Sequence, residues 1–290
     1  MKPPPFDYAA PATLDEAVKL LGENEFDAKV LAGGQSLMPL LNMRMARPAL
    51  LIDLAKIPGL DYVRESDGAL AIGAMTRQRT AELSETVQKR HPLLHAAMLN
   101  IAHPQNRNHG TVGGSVAHAD PAAELPALAV ALDARIKAAG PGGTRTIMAA
   151  DFFVTYLTTC LEPAEILTEV EWPLLPERTG WSFRELARRH GDYALAGAVA
   201  TVTLDGGGRC SEARLALFGV GSTPLRASAA EHAVAGDKIT DAALDEAVRR
   251  ACDALEDPLS DVHASADYRR HLAGVLARRA LAEAAERAAA

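Results

Sequence analysis

The apolar positions in the first part of the chain come in short, mixed stretches, some at helical spacing and some in unbroken runs. Thr13-Leu14-Asp15-Glu16 matches a capping box, and Ala17, Val18, Leu20 and Leu21 follow at helical spacing, so a helix is predicted up to about Gly22. The run Ala28 to Leu31 predicts a buried strand that breaks at Gly33-Gly34, and Ser36 to Arg44 a short helical turn whose start is limited by Pro39. A second strand is predicted at Leu50 to Leu54, and a hairpin from Leu60 to Gly73 across Ser66-Asp67-Gly68. Helices are predicted from Met75 to Leu83, from about Pro92 to Ala102 and from Glu124 to Leu132, with a Gly-, Ser- and His-rich loop from His109 to Pro121 lacking periodicity. Strands follow at Ala134 to Ala138, Thr144 to Met148 and Ile166 to Trp172, with a short helix at Ala150 to Phe153.

The rhythm changes after Pro173-Leu174-Leu175-Pro176-Glu177, a stretch of linker composition. Trp181 to Ala187, Ala196 to Leu204 and Ala213 to Gly219 read as strands, and Arg226 to Ala235, Asp241 to Leu255 and Ala266 to Ala288 as helices. Strands followed by helices predict an α+β module with helices packed on an antiparallel sheet. The division expected is therefore residues 1–176 and 177–290.

Composition narrows the function. At 290 residues, 48% hydrophobic and 23% charged, the chain has the balance of a globular protein of two or three modules. Its net charge of −7 argues against general nucleic-acid binding, which needs basic residues gathered on one surface. Met1-Lys2-Pro3-Pro4-Pro5 lacks a signal-type apolar run, and no stretch approaches the ~18 apolar residues of a membrane span, so a cytoplasmic location is expected. Cys160, Cys210 and Cys252 are far apart and too few for an iron–sulfur cluster with four thiolate ligands.

Two turns carry candidate chemistry: Ala32-Gly33-Gly34-Gln35-Ser36 after a predicted strand, and Thr111-Val112-Gly113-Gly114-Ser115. Each joins glycines that let backbone approach a ligand to a nearby hydroxyl, and consecutive amides in such turns bind anions without lysine. A diphosphate fits, although each turn alone also reads as a plain tight turn. No G-x-G-x-x-G follows a strand and no G-x-x-x-x-G-K-[ST] occurs, so neither a Rossmann site nor a P-loop is indicated. His103, His109, His118 and Asp120 allow an alternative, a metal-dependent hydrolase, although their spacing follows no ligand motif.

The segment from Leu31 to Arg44, with Ala32-Gly33-Gly34-Gln35-Ser36-Leu37-Met38-Pro39 at its head, the segment Ile101 to Pro121, and Arg188-Arg189-His190-Gly191-Asp192-Tyr193-Ala194 together resemble the FAD-binding medium subunit of molybdenum hydroxylases, the xanthine dehydrogenase and aerobic carbon monoxide dehydrogenase family. The resemblance spans essentially the whole chain. It implies a PCMH-type, vanillyl-alcohol-oxidase-like FAD domain of two α/β lobes, about 1–56 and 57–176, followed by a domain like that of carbon monoxide dehydrogenase flavoproteins. It also implies non-covalent FAD, with Leu31, Ala32, Gly33, Gly34, Gln35, Ser36 and Leu37 and Thr111, Val112, Gly113, Gly114 and Ser115 around the diphosphate. Asp120 and Glu124 are then acidic residues near the cofactor, Arg184 (or Arg188) a basic residue near the flavin, and Tyr193 a ring approaching the isoalloxazine.

The resemblance further implies an iron–sulfur small subunit carrying [2Fe–2S] clusters and a large subunit carrying a molybdenum cofactor, in a heterotrimer or a dimer of heterotrimers. Some relatives have His where Gln35 stands, which leaves backbone binding intact. The cysteine-bearing insertion of the 4-hydroxybenzoyl-CoA reductase branch is absent, which disfavours that branch. A stand-alone FAD-dependent oxidoreductase of the same fold is the other expectation.

Overall fold

The computed structural model describes residues 2–290. A first lobe contains β1 (Asp7–Ala9), α1 (Leu14–Glu23), β2 (Ala28–Leu31), α2 (Leu37–Asn42) and β3 (Leu50–Asp53). Its strands lie in the order β1-β3-β2, all parallel. The expected capping box starts α1: Thr13 accepts the Glu16 N–H at 3.2 Å and the Glu16 carboxylate accepts the Ala12 N–H at 3.0 Å. Ala17, Val18 and Leu21 then bury against Ile52 and Leu54.

The second lobe comprises β4 (Val63–Ser66), β5 (Ala69–Gly73), α3 (Gln78–Leu83), α4 (Glu85–Arg90), α5 (Pro92–Met98), α6 (Pro104–Arg107), α7 (Val112–His118), α8 (Glu124–Ala131), β6 (Arg135–Gly140), β7 (Gly143–Met148), α9 (Ala149–Phe152), β8 (Phe153–Thr155), β9 (Thr158–Thr159) and β10 (Ile166–Pro173). Its five-stranded antiparallel sheet has the order β4-β5-β10-β6-β7, the last strand returning to the centre. The β4–β5 hairpin turns through Asp67 and Gly68 with φ of 49° and 73°, the two positive angles a tight hairpin needs. Every residue of α8 is buried, Glu124 at its start included, so it runs through the core as its otherwise apolar sequence requires.

The third unit comprises β11 (Thr179–Ala187), β12 (Ala194–Leu204), β13 (Cys210–Phe218), β14 (Leu225–Arg226), α10 (Ser228–Val234), α11 (Asp241–Asp253) and α12 (Ala266–Ala289), with the antiparallel order β11-β12-β13-β14. Its sheet is covered on both faces. Ala196, Ala198, Ala200 and Val202 pack with α10 to α12, whereas Val199, Ala216 and Phe218 join the core of the second lobe. Small residues permit this: a Cβ on Gly180 would lie 1.9 Å from the Ala284 carbonyl oxygen of α12.

Three expectations are corrected. The helix predicted from Met75 begins at Gln78, because the buried Thr76 is held in a bridge, exchanging hydrogen bonds with the Tyr62 backbone at 2.9 and 3.0 Å. The helix from Pro92 ends at Met98 rather than Ala102. The segment read as a loop from His109 contains α7, capped by Thr111, whose hydroxyl accepts the Gly114 N–H at 3.0 Å.

His91, fully buried at the start of α5, holds the lobe together at its edge. Its Nε2–H donates to the Pro173 carbonyl at 3.1 Å and its Nδ1 accepts the Leu94 N–H at 3.3 Å, which fixes a neutral ring. Burial pushes its pKa from 6.5 down to about 4. The unfolded chain therefore binds this proton at higher pH than the folded one, and stability present above pH 6.5 is lost as pH falls toward 4. A loss of up to ~3 kcal/mol is expected across that window. Urea midpoints measured in parallel for wild type and His91→Gln should show a weaker acid dependence in the variant.

Candidate functional site

The first Gly-Gly turn is a row of unpaired donors. Between the end of β2 and the first turn of α2, the backbone N–H groups of Gly33, Gly34, Gln35, Ser36 and Leu37 meet no acceptor among the described residues. Ser36 makes no side-chain cap bond, and Gly34 takes φ +70°, a conformation side chains rarely adopt. Successive amides aimed at one concavity form an anion site, since backbone donors left without partners are costly unless a ligand or water meets them.

The two Gly-Gly turns meet across the lobes. A Cβ on Gly33 would lie 2.4 Å from the His109 carbonyl oxygen and 2.7 Å from Gly110 Cα, and one on Gly114 would lie 3.3 Å from Ala32 Cβ. Asn106 also donates to the Gln35 side chain at 3.4 Å. The turns are not equivalent, however. In α7 the N–H groups of Val112, Gly113 and Ser115 donate to Thr76 O, Ala74 O and Thr111 O at 3.0, 2.9 and 3.2 Å. Gly114 N–H is taken by the Thr111 hydroxyl. Val112 and Gly113 are buried, and a Cβ on Gly113 would lie 2.4 Å from Ala74 Cβ. These bonds seat α7 against the end of β5. Gly114 and Ser115 alone of this helix turn stay half-buried, beside Ala32.

An acidic and aromatic wall adjoins these turns. Asp120 follows α7 through Ala119 at φ 53° and accepts the Ala122 N–H at 2.9 Å. Glu124, at the start of α8, is 9% exposed; burial pushes its carboxyl to about 7, with Asp120 adding to the rise and Arg107 opposing it. Tyr193, between β11 and β12, and Tyr156, at the tip of the β8–β9 hairpin, show 64% and 54% of their surfaces. The Tyr193 hydroxyl is held above its ordinary range by desolvation and by Asp120 and Glu124, with Ser36 opposing; Tyr156 is raised by desolvation and by Asp120. All three units thus contribute to one place, and two tyrosine rings remain open there to a planar ligand.

Arg184 does not reach this place. On β11, Ser182 and Arg184 share the face toward α12, where each bonds the Glu283 carboxylate, at 2.5 and 2.8 Å. Arg184, expected beside the flavin, is thus paired with Glu283. Arg188 pairs instead with Asp192 at 3.3 Å. Glu185 takes the opposite face, with Trp181 and Phe183, and burial together with Glu124 pushes its carboxyl to about 8. The period-2 alternation of Trp181, Phe183 and Glu185 was the signal for this residue, since a strand turns odd positions to one side.

The histidines diverge. His103 stacks edge-on against His190 with ring centroids 6.4 Å apart, the His109 carbonyl abuts Gly33, and His118 lies near Asp120. Among the described residues, no group of three or more His, Cys, Asp or Glu side chains is placed to hold a metal ion. Nor, among these residues, is any helix long and apolar enough to cross a membrane.

A parallel lobe and an antiparallel lobe thus meet at a row of amides without protein acceptors, with an α+β unit covering them. A family model described as the FAD binding domain in molybdopterin dehydrogenase matches residues 4–175, and one described as the CO dehydrogenase flavoprotein C-terminal domain matches residues 181–284. The chain is 45% identical to the 6-hydroxypseudooxynicotine dehydrogenase complex subunit alpha of Paenarthrobacter nicotinovorans, over 99% of this chain and 97% of that one. It superposes at a TM-score of 0.96 on a chain of carbon monoxide dehydrogenase from Hydrogenophaga pseudoflava, with 42% identity and 99% of each chain covered. Against quinoline 2-oxidoreductase from Pseudomonas putida 86 the TM-score is 0.94, with 40% identity and 99% of each chain covered. The chain belongs to the FAD-binding subunits of the molybdenum hydroxylase family: it is an oxidoreductase subunit whose cofactor is FAD.

Proposed function

We propose that this chain holds FAD non-covalently between its two N-terminal lobes and serves as the electron exit of a multi-subunit dehydrogenase. The observation that carries this reading is the run of five amides from Gly33 to Leu37 without protein acceptors, backed by His109 and Gly110. A diphosphate satisfies such a row. Ser36, Gly114 and Ser115 border it, and the exposed rings of Tyr193 and Tyr156 are available to cover a ring system extending from it. FAD suits this position because it takes single electrons from clusters and delivers two to an acceptor.

The electrons enter from [2Fe–2S] clusters of a small subunit after substrate oxidation at the molybdenum cofactor of a large subunit, and the assembly is a heterotrimer or a dimer of heterotrimers. The family relationship supports this arrangement, and substrate choice belongs to the large subunit. Purification from the native host, followed by absorption spectroscopy and release of the cofactor by heat, tests the reading. The expected result is a flavin spectrum with about one equivalent of FAD per chain and copurifying iron–sulfur and molybdenum subunits. A colourless chain that takes up no added FAD overturns it.

A further inference from the structure

We propose that the outer face of α2 and the turn after it, from Leu37 to Arg47, is the docking surface for the iron–sulfur subunit of the complex. The inference rests on the FAD placement and the electron route proposed above. Within this stretch Leu37, Met38, Leu40, Met43 and Met45 are apolar, yet none of them belongs to, or packs against, any of the three apolar cores. Leu41 alone turns fully inward. Met43 is 51% exposed and Met45 73%. Apolar side chains gathered in one open place mark a surface that a partner covers, and methionine is enriched on such surfaces.

This exposure is built, not loose. The Met43 N–H donates to the Pro39 carbonyl at 2.9 Å, the Arg44 N–H to Leu41 at 3.0 Å and the Met45 N–H to Leu40 at 2.9 Å, an acceptor shared with Ala46 at 3.3 Å. Arg44 closes the turn at φ 58°, and the Arg47 Nε–H donates to its carbonyl at 3.2 Å. Pro48, buried, then anchors the segment. The backbone thus holds both methionines outward in a fixed arrangement, and little conformational freedom is lost when a partner binds.

Charge and position name the occupant. Exposed arginines elsewhere hold carboxylates, Arg90 on Glu65 and Arg278 on Asp241, whereas the exposed Arg44 and Arg47 form no ion pair among the described residues, on a chain of net charge −7. The surface that fits them has an apolar centre and Asp or Glu at its rim. The face is also continuous with the cofactor turn. Leu37 supplies the fifth free amide, and a Cβ on Gly34 would lie 3.3 Å from Met38 Cγ. The six residues of α2 span ~9 Å, so a subunit seated on Met43 and Met45 stands about that far from the anion-binding amides. Of the two partner subunits, the one that hands electrons to FAD requires that proximity.

Two measurements test this. In the first, a photo-cross-linking amino acid replaces Met45 in the full chain, expressed in the native host, and illumination of the assembled complex should join this chain to the iron–sulfur subunit. Cross-links only to the large subunit or to a second copy of this chain, or none in an intact complex, overturn the proposal. In the second, the FAD-loaded chain carrying Arg44→Glu and Met45→Glu is titrated with iron–sulfur subunit recovered from the complex. Binding should weaken roughly 100-fold, with FAD content and urea midpoint as in wild type. Where the double variant fails to fold, Met45→Glu alone, at a position 73% exposed, should weaken binding about 10-fold. Affinities equal to wild type overturn the proposal. A chain that binds FAD but assembles through another face loses this docking surface and keeps its place as electron exit, whereas a chain without FAD, or without an iron–sulfur partner in its host, overturns both.

Discussion

Gly33→Ala is expected to weaken FAD binding by roughly 100-fold, equivalent to about 3 kcal/mol. The added methyl would sit 2.4 Å from the His109 carbonyl oxygen and 2.7 Å from Gly110 Cα, and both are backbone atoms that cannot swing aside. The turn must therefore lift from the second lobe, carrying the amides of Gly33 to Leu37 out of the concavity they share. Loss should fall on affinity more than on folding, because the turn is half-exposed and only its Ala32 packs against an apolar core. Gly34→Ala makes a useful comparison. Its φ of +70° strains any side chain, but the nearest atoms are the flexible Met38 and Leu31 side chains at 3.3 and 3.4 Å. A penalty of ~1 kcal/mol is expected there. Fluorescence titration of the FAD-free chain distinguishes the two variants, and equal affinities for wild type and Gly33→Ala would show that the turn is no binding element.

Arg107→Met is expected to destabilise the chain by about 3 kcal/mol. Arg107 and Glu82 are both buried, with side chains 5% and 6% exposed, and the guanidinium also serves the carbonyls of Ile101 and Ala102 at 2.6 and 3.3 Å. Removing it strands these acceptors and leaves Glu82 with Arg79 alone, a partner 36% exposed. The cost arises from uncompensated burial, so Glu82→Gln combined with Arg107→Met should recover part of the loss. Chemical denaturation of the two variants measures this. Arg107 also opposes the rise of Glu124, so its loss should move that carboxyl still higher.

Much of this architecture was legible in local patterns. The capping box at Thr13 to Glu16 and the two-residue turn at Asp67-Gly68 state their structures in a few residues, because each satisfies specific backbone groups or specific φ angles. Helix α7 was illegible for the opposite reason. Two adjacent glycines disfavour a helix by propensity, and what overrides them is distant: Thr76 and Ala74 accept its first amides, and only a residue without Cβ fits against Ala74. The same distinction separates the two Gly-Gly turns. Nothing in their sequences says that one has its amides consumed by a neighbouring strand end and the other does not.

The site shows a similar division. Tyr193, Asp120 and Glu124 were named from the family resemblance, and the structure gathers them with Ser36 around one place. Arg184 was named with them from the resemblance, and a cation near a flavin makes chemical sense. The strand's alternation, read strictly, already turned Arg184 outward. Tyr156 carries no such signal, since it lies on a short hairpin that no periodicity announces.

The doubly covered sheet of the third unit has a consequence for how such chains can be recombined. Phe218 and Val199 belong to the same apolar core as Leu125, Leu128 and Trp172. Pro121 accepts the Gly219 N–H at 2.7 Å, and Arg226 reaches across to the Val130 carbonyl at 3.2 Å and Asp133 at 2.9 Å. The boundary between the regions matched by the two family models is thus a seam in the chain but not in the solid body. A chimera that exchanges the C-terminal region for a relative's inherits half of a packed interior, so grafts succeed only when α8 and the strands that cover it are transplanted as one piece.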